Sequence, residues 1–406
     1  MIPSGVDVLR KIDWDFYGYT TSNHLADLHW YPATFVPQLP SVIIKALTSP
    51  GETVLDPFCG SGVSLVESLR LGRNAIGIDC TALGCFLSEV KCRLVCANDY
   101  EVITNLENFL RELKIHPVST HQSELQPTDN KILKPDFYRD QFDRFIKLNP
   151  QLVQWYHPET LRALFQLKFT IQNVGDSLVR DLLMVCFSSI LRATSSQTKS
   201  WGHIADNVKP KCLEYKEVSP LLIRQVTRSI RGISELAKDK SVSDNLRFRV
   251  YKADARQMDF VLPSSVDLVI TSPPYPKMTD YALSQRLTYY WMDWDLDKSR
   301  SLEIGSRRRR RQLTFDDDYL SDMEAVIKEN RRVLNDGKYL CLVLPLFESV
   351  AQKRHELISK FVKSVDSSGF TQIAKFERTV PRKRRRHNWP SLDREQIYIW
   401  EKTATR

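Results

Sequence analysis

The sequence predicts an α/β fold in which a mostly parallel sheet is interrupted by a large helical insertion. Short apolar strand patterns alternate with helical periodicity before about residue 96 and again after residue 247. Between them, residues 97–246 show helical periodicity and little strand signal. We therefore expect residues 1–96 and 247–406 to form one domain that surrounds the insertion. Two separate domains are a weaker alternative, because the first part has only two clear strands.

Each expected element follows from its local pattern. Before the insertion, the sequence predicts helices at 37–47, 62–71 and 81–96 and strands at 52–56 and 74–79. Inside it, 158–192 predicts two helices broken near Gly175, and 219–237 predicts another. After it, strands are expected at 248–254, 266–272, 338–345 and 395–402, with a helix at 319–334 that ends at a turn around Gly337.

Composition excludes several classes of protein. The chain has 406 residues, of which 42% are hydrophobic and 26% charged, and 14 glycines without heptads exclude collagen-like and coiled-coil chains. No apolar run approaches the ~18–20 residues of a membrane helix, and the first residues carry no secretory apolar region. We expect a cytoplasmic, nucleoid-associated protein without a membrane partner. The eight cysteines predict free, packing thiols rather than a metal site.

The positive charge is concentrated in two short runs. Without ten of its basic residues the chain would hold 48 basic and 49 acidic side chains, although its formal net charge is +9. Concentrated charge of this kind favours a polyanionic partner such as nucleic acid. A solvated charge run or a nuclear localisation signal is the alternative. The ten candidate DNA-binding residues are Arg307, Arg308, Arg309, Arg310, Arg311, Arg382, Lys383, Arg384, Arg385 and Arg386.

A glycine motif follows the first predicted strand. The segment DPFCGSG places Asp56, Gly60 and Gly62 where a strand turns into a helix, a geometry that lets a ligand approach the main chain. Asp79 ends the next strand, at a spacing suited to ribose hydroxyls. Leu65 stands where a dinucleotide-binding motif has its third glycine. Because Asp56 would repel a pyrophosphate and attract an ammonium group, the loop favours S-adenosyl-L-methionine. A simple tight turn is the alternative.

A second motif, Ser272-Pro273-Pro274-Tyr275, follows a later predicted strand. The prolines make a stiff strand tip that lacks backbone donors but keeps its carbonyl acceptors. With the Ser272 hydroxyl, these acceptors suit an exocyclic amine on a base, and Tyr275 offers a face for stacking. A core-edge turn with an aromatic plug is the alternative.

These motifs give the sequence a resemblance to a known family. With DPFCGSG, GID, TSPPY and the earlier WYPATFVP, it resembles the amino-methylating DNA methyltransferases, which modify N4 of cytosine or N6 of adenine. The resemblance covers roughly residues 28–96 and 247–402. It implies a Rossmann-like, seven-stranded, mostly parallel methyltransferase sheet with a reversed last strand. It also implies S-adenosyl-L-methionine as cofactor and a flipped base of double-stranded DNA as substrate.

The resemblance also assigns roles to residues. Ser272, Pro273, Pro274 and Tyr275 would form the catalytic loop, and Cys59 is read as packing rather than as a nucleophile. The implied cofactor-binding residues are Asp56, Phe58, Gly60 and Gly62 for the methionine part, Asp79 for the ribose, Asp254 for the adenine amine, and Thr34 and Phe35 for closing the pocket. For Asp254 a helix N-cap is the alternative.

Finer expectations rest on the same resemblance. Serine at the start of the catalytic loop favours cytosine N4 over adenine N6. A restriction-modification or related defence system is expected, with an endonuclease as a possible partner. Residues 97–246 are a possible target-recognition domain. An RNA base methyltransferase and a non-catalytic DNA-binding protein are the alternatives. Tyr281, Arg286, Tyr289 and Trp389 are candidates for a DNA channel, although an aromatic helix packed on the sheet is the more ordinary reading of 289–294.

Overall fold

A computed structural model of the 406-residue chain describes residues 5–17, 25–32, 36–115, 135–197, 210–238, 246–347, 352–380 and 394–404. Four of the expectations concern residues outside these ranges. They are Thr34 and Phe35, the second basic run at 382–386, and Trp389.

The described chain contains one seven-stranded sheet. Its strands are β1 (Thr53–Asp56), β2 (Asn74–Asp79), β3 (Phe248–Lys252), β4 (Val266–Thr271), β5 (Leu334–Leu346), β6 (Phe370–Thr379) and β7 (Arg394–Lys402). They lie in the order β3-β2-β1-β4-β5-β7-β6. Strands β1 to β5 pair in parallel, whereas β7 is antiparallel to both β5 and β6. The expected mostly parallel sheet with a reversed last strand is therefore confirmed.

Helices cover the sheet and build the insertion. They are α1 (Gly5–Leu9), α2 (Gln38–Leu47), α3 (Val63–Arg70), α4 (Ala82–Cys96), α5 (Asp99–Ile115), α6 (Pro135–Leu148), α7 (Pro158–Gln172), α8 (Ser177–Thr194), α9 (Ser219–Lys238), α10 (Tyr281–Ser284), α11 (Arg286–Met292), α12 (Leu296–Leu302), α13 (Phe315–Val333) and α14 (Gln352–Ser367). The predicted break near Gly175 falls between α7 and α8, where the Asp176 carboxylate caps α8 by accepting from two main-chain amides. None of the described helices is long and apolar enough to cross a membrane.

At the end of the sheet the structure adds one strand and corrects the position of one turn. Strand β6 was not predicted, because its sequence FTQIAKFERT alternates imperfectly and carries charged side chains typical of an edge strand. Strand β5 begins at Leu334, directly after α13, so the turn expected around Gly337 lies inside the strand. Gly337 accommodates this irregular start because its φ is +71°.

The insertion and the sheet share one buried core. Leu83 and Leu87 of α4 belong to the same apolar cluster as residues of α5 to α9. Trp291 of α11 lies at this junction, with its ring edge-on to Tyr156 and Phe187. Trp291 therefore packs against the insertion, whereas Tyr289 and Trp294 pack around the start of α4, with the Trp294 ring edge-on to Phe86. These contacts are with helices, which corrects the reading of an aromatic helix packed on the sheet. Full burial of Trp291 makes it one of the largest contributors to this core.

The cysteines of α4 agree only in part with the packing role predicted from the sequence. Cys92 is fully buried in the shared core, as a packing thiol is expected to be. Cys96, at the last turn of the helix, is exposed. Within the described ranges, no three side chains of the metal-binding types come together.

Candidate active site

The tips of β1 and β4 meet at the centre of the sheet. These parallel strands are neighbours, and the chain crosses away from them in opposite directions, toward β2 on one side and toward β5 on the other. The carboxyl ends of strands at such a reversal form the usual ligand crevice of an open α/β sheet. Thr271, the last residue of β4, donates its hydroxyl to Asp56 Oδ1 at the end of β1, over 2.7 Å. The two motifs are therefore joined directly.

A cavity lies over these strand ends, and its volume, including the open entrance, is about 800 Å³. Seven predicted site residues line it, namely Asp56, Phe58, Gly60, Asp79, Asp254, Ser272 and Pro274. Glu303 adds a fourth carboxylate to the wall, and the described lining contains no lysine or arginine. The carboxylates of Asp56 and Asp79 suit a cationic ligand and would repel a pyrophosphate.

Asp56 is buried and already well hydrogen-bonded. Its carboxylate accepts from the main-chain amide of Phe58 at 3.0 Å, from Thr271, and from the Ser64 hydroxyl through a very short contact. Burial raises the pKa of Asp56 to about 6, although these three donors oppose the rise. The carboxylate can carry its charge near neutral pH and keeps about one acceptor position for a ligand.

Asp79 holds the glycine loop and the start of α4 together. Its Oδ2 accepts from the Gly60 amide at 2.9 Å, and its Oδ1 accepts from the amide and hydroxyl of Thr81 at 2.7 and 2.6 Å. Burial raises the pKa of this carboxyl. Since a carboxylate offers about four acceptor positions, roughly one is left for a ribose hydroxyl. The expectation that Asp79 binds both hydroxyls would require one existing bond to be exchanged.

The glycine loop is held from below by α4. Ser88 donates its hydroxyl to the Gly60 carbonyl, and Lys91 donates to the Ser61 carbonyl, each over 2.9 Å. Gly62 does not line the cavity, but its φ of +78° starts α3, and a Cβ there would lie 2.7 Å from Ser88 Oγ. Cys59 is buried, and burial raises the pKa of its thiol well above the usual value. A protonated thiol is a poor nucleophile, which fits the packing role expected for Cys59.

Asp254 lines the cavity but already has a cationic partner. Its carboxylate accepts from the Arg256 main-chain amide at 2.9 Å and pairs with the Arg256 guanidinium at 2.6 Å. Arg256 also contacts Asp322 at 2.7 Å. Turns rather than a helix follow Asp254, so the N-cap alternative is wrong. An adenine amine would share this carboxylate with Arg256.

Some residues of the catalytic loop line the cavity, and others are buried in the core. Ser272 and Pro274 line the cavity, whereas Pro273 is buried beside them. The ring of Tyr275 is only 8% exposed and packs in the apolar cluster beneath the loop. Its hydroxyl donates to Glu395 of β7 at 2.9 Å. This corrects the expectation that Tyr275 offers a stacking face, because the hydrogen bond and the packing direct its ring away from the cavity.

Sequence reasoning missed several residues of the cavity wall. Tyr31 lies against Gly60, bonds the Thr81 hydroxyl at 3.0 Å and stacks on Tyr281. Tyr31 belongs to the WYPATFVP motif, but the family resemblance assigned a cofactor role only to Thr34 and Phe35 of that motif. Glu303 accepts from the Ala282 amide at 2.6 Å, and burial raises its pKa to about 8. No sequence signal marks it, since it lies in a polar stretch.

The first basic run borders the catalytic loop. Arg307–Arg309 form a short 3₁₀ helix, and the Arg308 amide donates to Asp280 Oδ1 at 2.9 Å. The Arg309 side chain pairs with Asp318 at 2.5 Å, whereas Arg308, Arg310 and Arg311 are exposed.

Two of the channel candidates face the core instead. Arg286 is 5% exposed and Tyr289 is fully buried, with its hydroxyl accepting from the Ala82 amide at 3.0 Å. Neither side chain is available to line a DNA channel, because the helix that carries them packs against the insertion. Tyr281, by contrast, does line the cavity.

Comparison with known proteins finds DNA methyltransferases among those similar to this chain. A family model described as DNA methylase, of the N6/N4 type, matches residues 7–82. The chain is 22% identical over 442 aligned residues to the type II methyltransferase M.MjaII of Methanocaldococcus jannaschii, covering 91% of this chain and 80% of that protein. These matches support the resemblance to the amino-methylating DNA methyltransferases.

Two further proteins are similar to this chain. The type II methyltransferase M.MvaI of Kocuria varians is 27% identical, over 66% of this chain and 58% of that protein. The structure of an S-adenosylmethionine-dependent methyltransferase from Methanosarcina mazei aligns with 93% of this chain over its own full length. The two share 10% sequence identity, and the TM-score is 0.33. At that TM-score the overall superposition is poor, and the fold is established by the strand order itself.

The cofactor of the amino-methyltransferase family is S-adenosyl-L-methionine, and the cavity fits it. Gly60 leaves room at the loop where a Cβ would lie 3.0 Å from the Tyr31 ring. The cofactor carries an ammonium and a sulfonium group and no phosphate, which matches a wall of carboxylates without lining cations. A ribose hydroxyl can reach the acceptor position left at Asp79.

Proposed function

We propose that this protein is a site-specific DNA methyltransferase that modifies an exocyclic amine of a base flipped out of the duplex. The observation that carries the proposal is the shared cavity, which is lined by Gly60 and Asp79 on one side and by Ser272 and Pro274 on the other. A cofactor in the first part and an amine in the second part would lie side by side.

The residues of the chain would act mainly by positioning. When bound, S-adenosyl-L-methionine supplies an electrophilic methyl group. Ser272 Oγ and the Pro273 carbonyl would accept the hydrogens of the target amine and orient its nitrogen toward that group. The Pro274 carbonyl already accepts from the Tyr319 hydroxyl at 3.2 Å, which fixes the loop. These acceptor dipoles would also stabilise the positive charge that develops on nitrogen.

We propose cytosine N4 as the preferred target over adenine N6, on the basis of serine at the first position of the loop. The names of the two curated relatives favour a type II restriction-modification system, with a separate endonuclease as partner. A base within a duplex is inaccessible, so the target must leave the stack. Because Tyr275 is held in the core, another side chain would have to cover the flipped base.

Residues outside the cavity would bind the DNA. The exposed Arg308, Arg310 and Arg311 border the catalytic loop and are proposed to contact phosphates. The run at 382–386 joins β6 to β7, and the flanking residues Thr379 and Arg394 pair with each other at the cavity edge of the sheet. The insertion at 97–246 is proposed as the target-recognition domain.

Transfer of a labelled methyl group to duplex DNA, with tRNA as competing substrate, tests the function. We expect label in DNA, and mass spectrometry of the nucleosides should show N4-methylcytosine. Ser272→Ala should lower the rate by at least about tenfold, since it removes a transition-state acceptor. Ser265→Ala, at the other end of β4, is the matched control and should leave the rate unchanged.

Three outcomes would contradict parts of this proposal. Label found in tRNA alone would favour the RNA methyltransferase. Label in neither nucleic acid would favour a non-catalytic DNA-binding protein. N6-methyladenine would overturn the preference for cytosine while leaving the chemistry in place. Long-read sequencing of DNA from expressing cells would then give the sequence context.

A further inference from the structure

A chain of hydrogen bonds leads from the catalytic loop to the last strand of the sheet. Ser272 Oγ lies 3.1 Å from the Tyr275 hydroxyl, and that hydroxyl lies 2.9 Å from Glu395 Oε1. The other carboxylate oxygen of Glu395 lies 3.6 Å from Nε of Arg378. Arg378 and Glu395 are register partners on β6 and β7. Three strands are thereby connected to a single hydroxyl in the cavity.

The Glu395 carboxylate at the end of the chain determines which group donates in each hydrogen bond. An ionised carboxylate only accepts, so the Tyr275 hydrogen must point to Glu395. The Tyr275 oxygen then accepts, and the Ser272 hydrogen points to it. Ser272 thus has its one hydrogen engaged within the protein, and its remaining lone pairs are available only as acceptors.

We propose that Glu395 is a positioning residue that acts through Tyr275 to make Ser272 a fixed acceptor for the target amine. This inference rests on the proposed function and deepens it. Without the chain, the Ser272 hydroxyl could rotate and present its hydrogen to the amine, which would oppose binding. No proton is transferred along the chain, because the hydrogens only need to be held in one orientation.

The surroundings support a strong effect. Tyr275 and Arg378 are 8% and 4% exposed, so these charges and dipoles act in a medium of low effective dielectric. Burial, followed by the nearby Glu395 charge, raises the pKa of Tyr275 well above its usual value, so the phenol keeps its proton. The Arg378 guanidinium lies 3.6 Å from the Glu395 carboxylate and places a positive charge at the end of the chain. In an aligned chain each bond polarises the next, which makes Ser272 Oγ a better acceptor.

The neighbouring residue pair provides a matched control. Glu377 of β6 is paired with Gln396 of β7, one position from the Arg378–Glu395 pair. Its carboxylate accepts from the Gln396 side chain at 2.8 Å. Because side chains alternate along strands, Glu377 faces the opposite side of the sheet from Glu395. Glu377→Gln therefore removes the same charge from the same pair of strands without reaching Tyr275.

A double-mutant cycle tests the inference on the full chain. Single-turnover rates of methyl transfer to duplex DNA are measured at saturating cofactor and DNA for Glu395→Gln, Tyr275→Phe and the double variant. Each single change should slow the reaction about tenfold, as expected for one charge-assisted hydrogen bond. The double variant should also be about tenfold slower, because without the Tyr275 hydroxyl the charge of Glu395 no longer reaches Ser272. Glu377→Gln should match the wild type.

The cycle also defines the results that would overturn the inference. A double variant slowed about a hundredfold would show that the two residues act independently. If Glu395→Gln weakened only the DNA affinity or lowered only the unfolding midpoint, Glu395 would have a binding or structural role instead. In a Ser272→Ala background, Glu395→Gln should have no further effect, and a further loss would contradict the chain. A wild type that methylates no DNA would refute the proposed function itself.

Discussion

The hydroxyl of Thr271 and the carboxylate of Asp56 are 215 residues apart in sequence and 2.7 Å apart in space. This contact joins the residue that precedes the catalytic loop to the residue that precedes the glycine loop. Both groups are buried, so neither can replace its partner with water at low cost. The relative position of the two loops therefore depends on a specific hydrogen bond as well as on the sheet.

Thr271→Val should loosen this junction. The change leaves Asp56 with one donor fewer in a buried site, and we expect a loss of about 1–3 kcal/mol in the free energy of unfolding. Thr271→Ser keeps the donor and should lose less. Chemical denaturation of both variants measures the difference. A larger loss for Thr271→Ser than for Thr271→Val would show that the methyl group, not the hydroxyl, stabilises the strand ends.

Gly62→Ala should be more damaging than the same change at Gly51. Both glycines have positive φ, +78° and +85°, so both substitutions carry a strain cost of about 1–2 kcal/mol. Only at Gly62 would the new Cβ also meet Ser88, at 2.7 Å, whereas Gly51 has no atom within 4 Å. Gly62→Ala should therefore also weaken cofactor binding. Unfolding curves and calorimetric titration measure the two effects, and similar results for the two variants would contradict the proposed packing.

Cofactor affinity should rise with pH through the titration of Asp56. Burial raises the pKa of this carboxyl to about 6, so it is largely neutral below that pH and charged above it. A cationic ligand prefers the charged form, and we expect affinity to increase roughly tenfold between about pH 5 and pH 7. Asp56→Asn should bind more weakly and lose this dependence. A wild-type affinity that does not change with pH would argue against an ammonium contact at Asp56.

Stability should fall with rising pH because of Glu303. Its pKa is raised from 4.5 to about 8 in the fold, so between these values the native state binds more protons than the unfolded state. The neutral Glu303→Gln variant should gain stability relative to wild type as pH rises from about 5 to 8, by on the order of 1 kcal/mol per pH unit. Denaturation across this range provides the measurement. A constant difference between the two proteins would contradict the raised pKa.

Replacing Arg308, Arg310 and Arg311 by glutamine should reduce the salt dependence of DNA binding. Each lost phosphate contact lowers the slope of log affinity against log salt by about 0.9. The matched variant replaces the exposed Arg224, Arg228 and Arg231 of α9, which removes equal charge from the insertion. Fluorescence anisotropy in a salt series compares the two variants. A larger effect from the α9 variant would place the phosphate contacts on the insertion.

The sequence predicted the parts of the site that depend on local pattern. Strands that end in DPFCGSG and TSPPY in one parallel sheet bring Gly60 and Ser272 to a common edge, and the sheet order confirms this. Contacts made by distant side chains were not predictable. The Tyr275 hydroxyl bonds to Glu395, 120 residues away, while its ring packs in the core. The Arg256 guanidinium pairs with the Asp254 carboxylate. Strand β6 was missed because an edge strand tolerates polar residues on both faces.

The core that passes without a break from α4 through Trp291 into α5 to α9 has a consequence for engineering. A recognition module joined by a linker can be exchanged between enzymes as a cassette. Here a transplant of residues 97–246 alone would leave the indole without the aromatic rings that surround it. A chimaera with altered sequence preference would have to carry the 281–294 segment along with the graft.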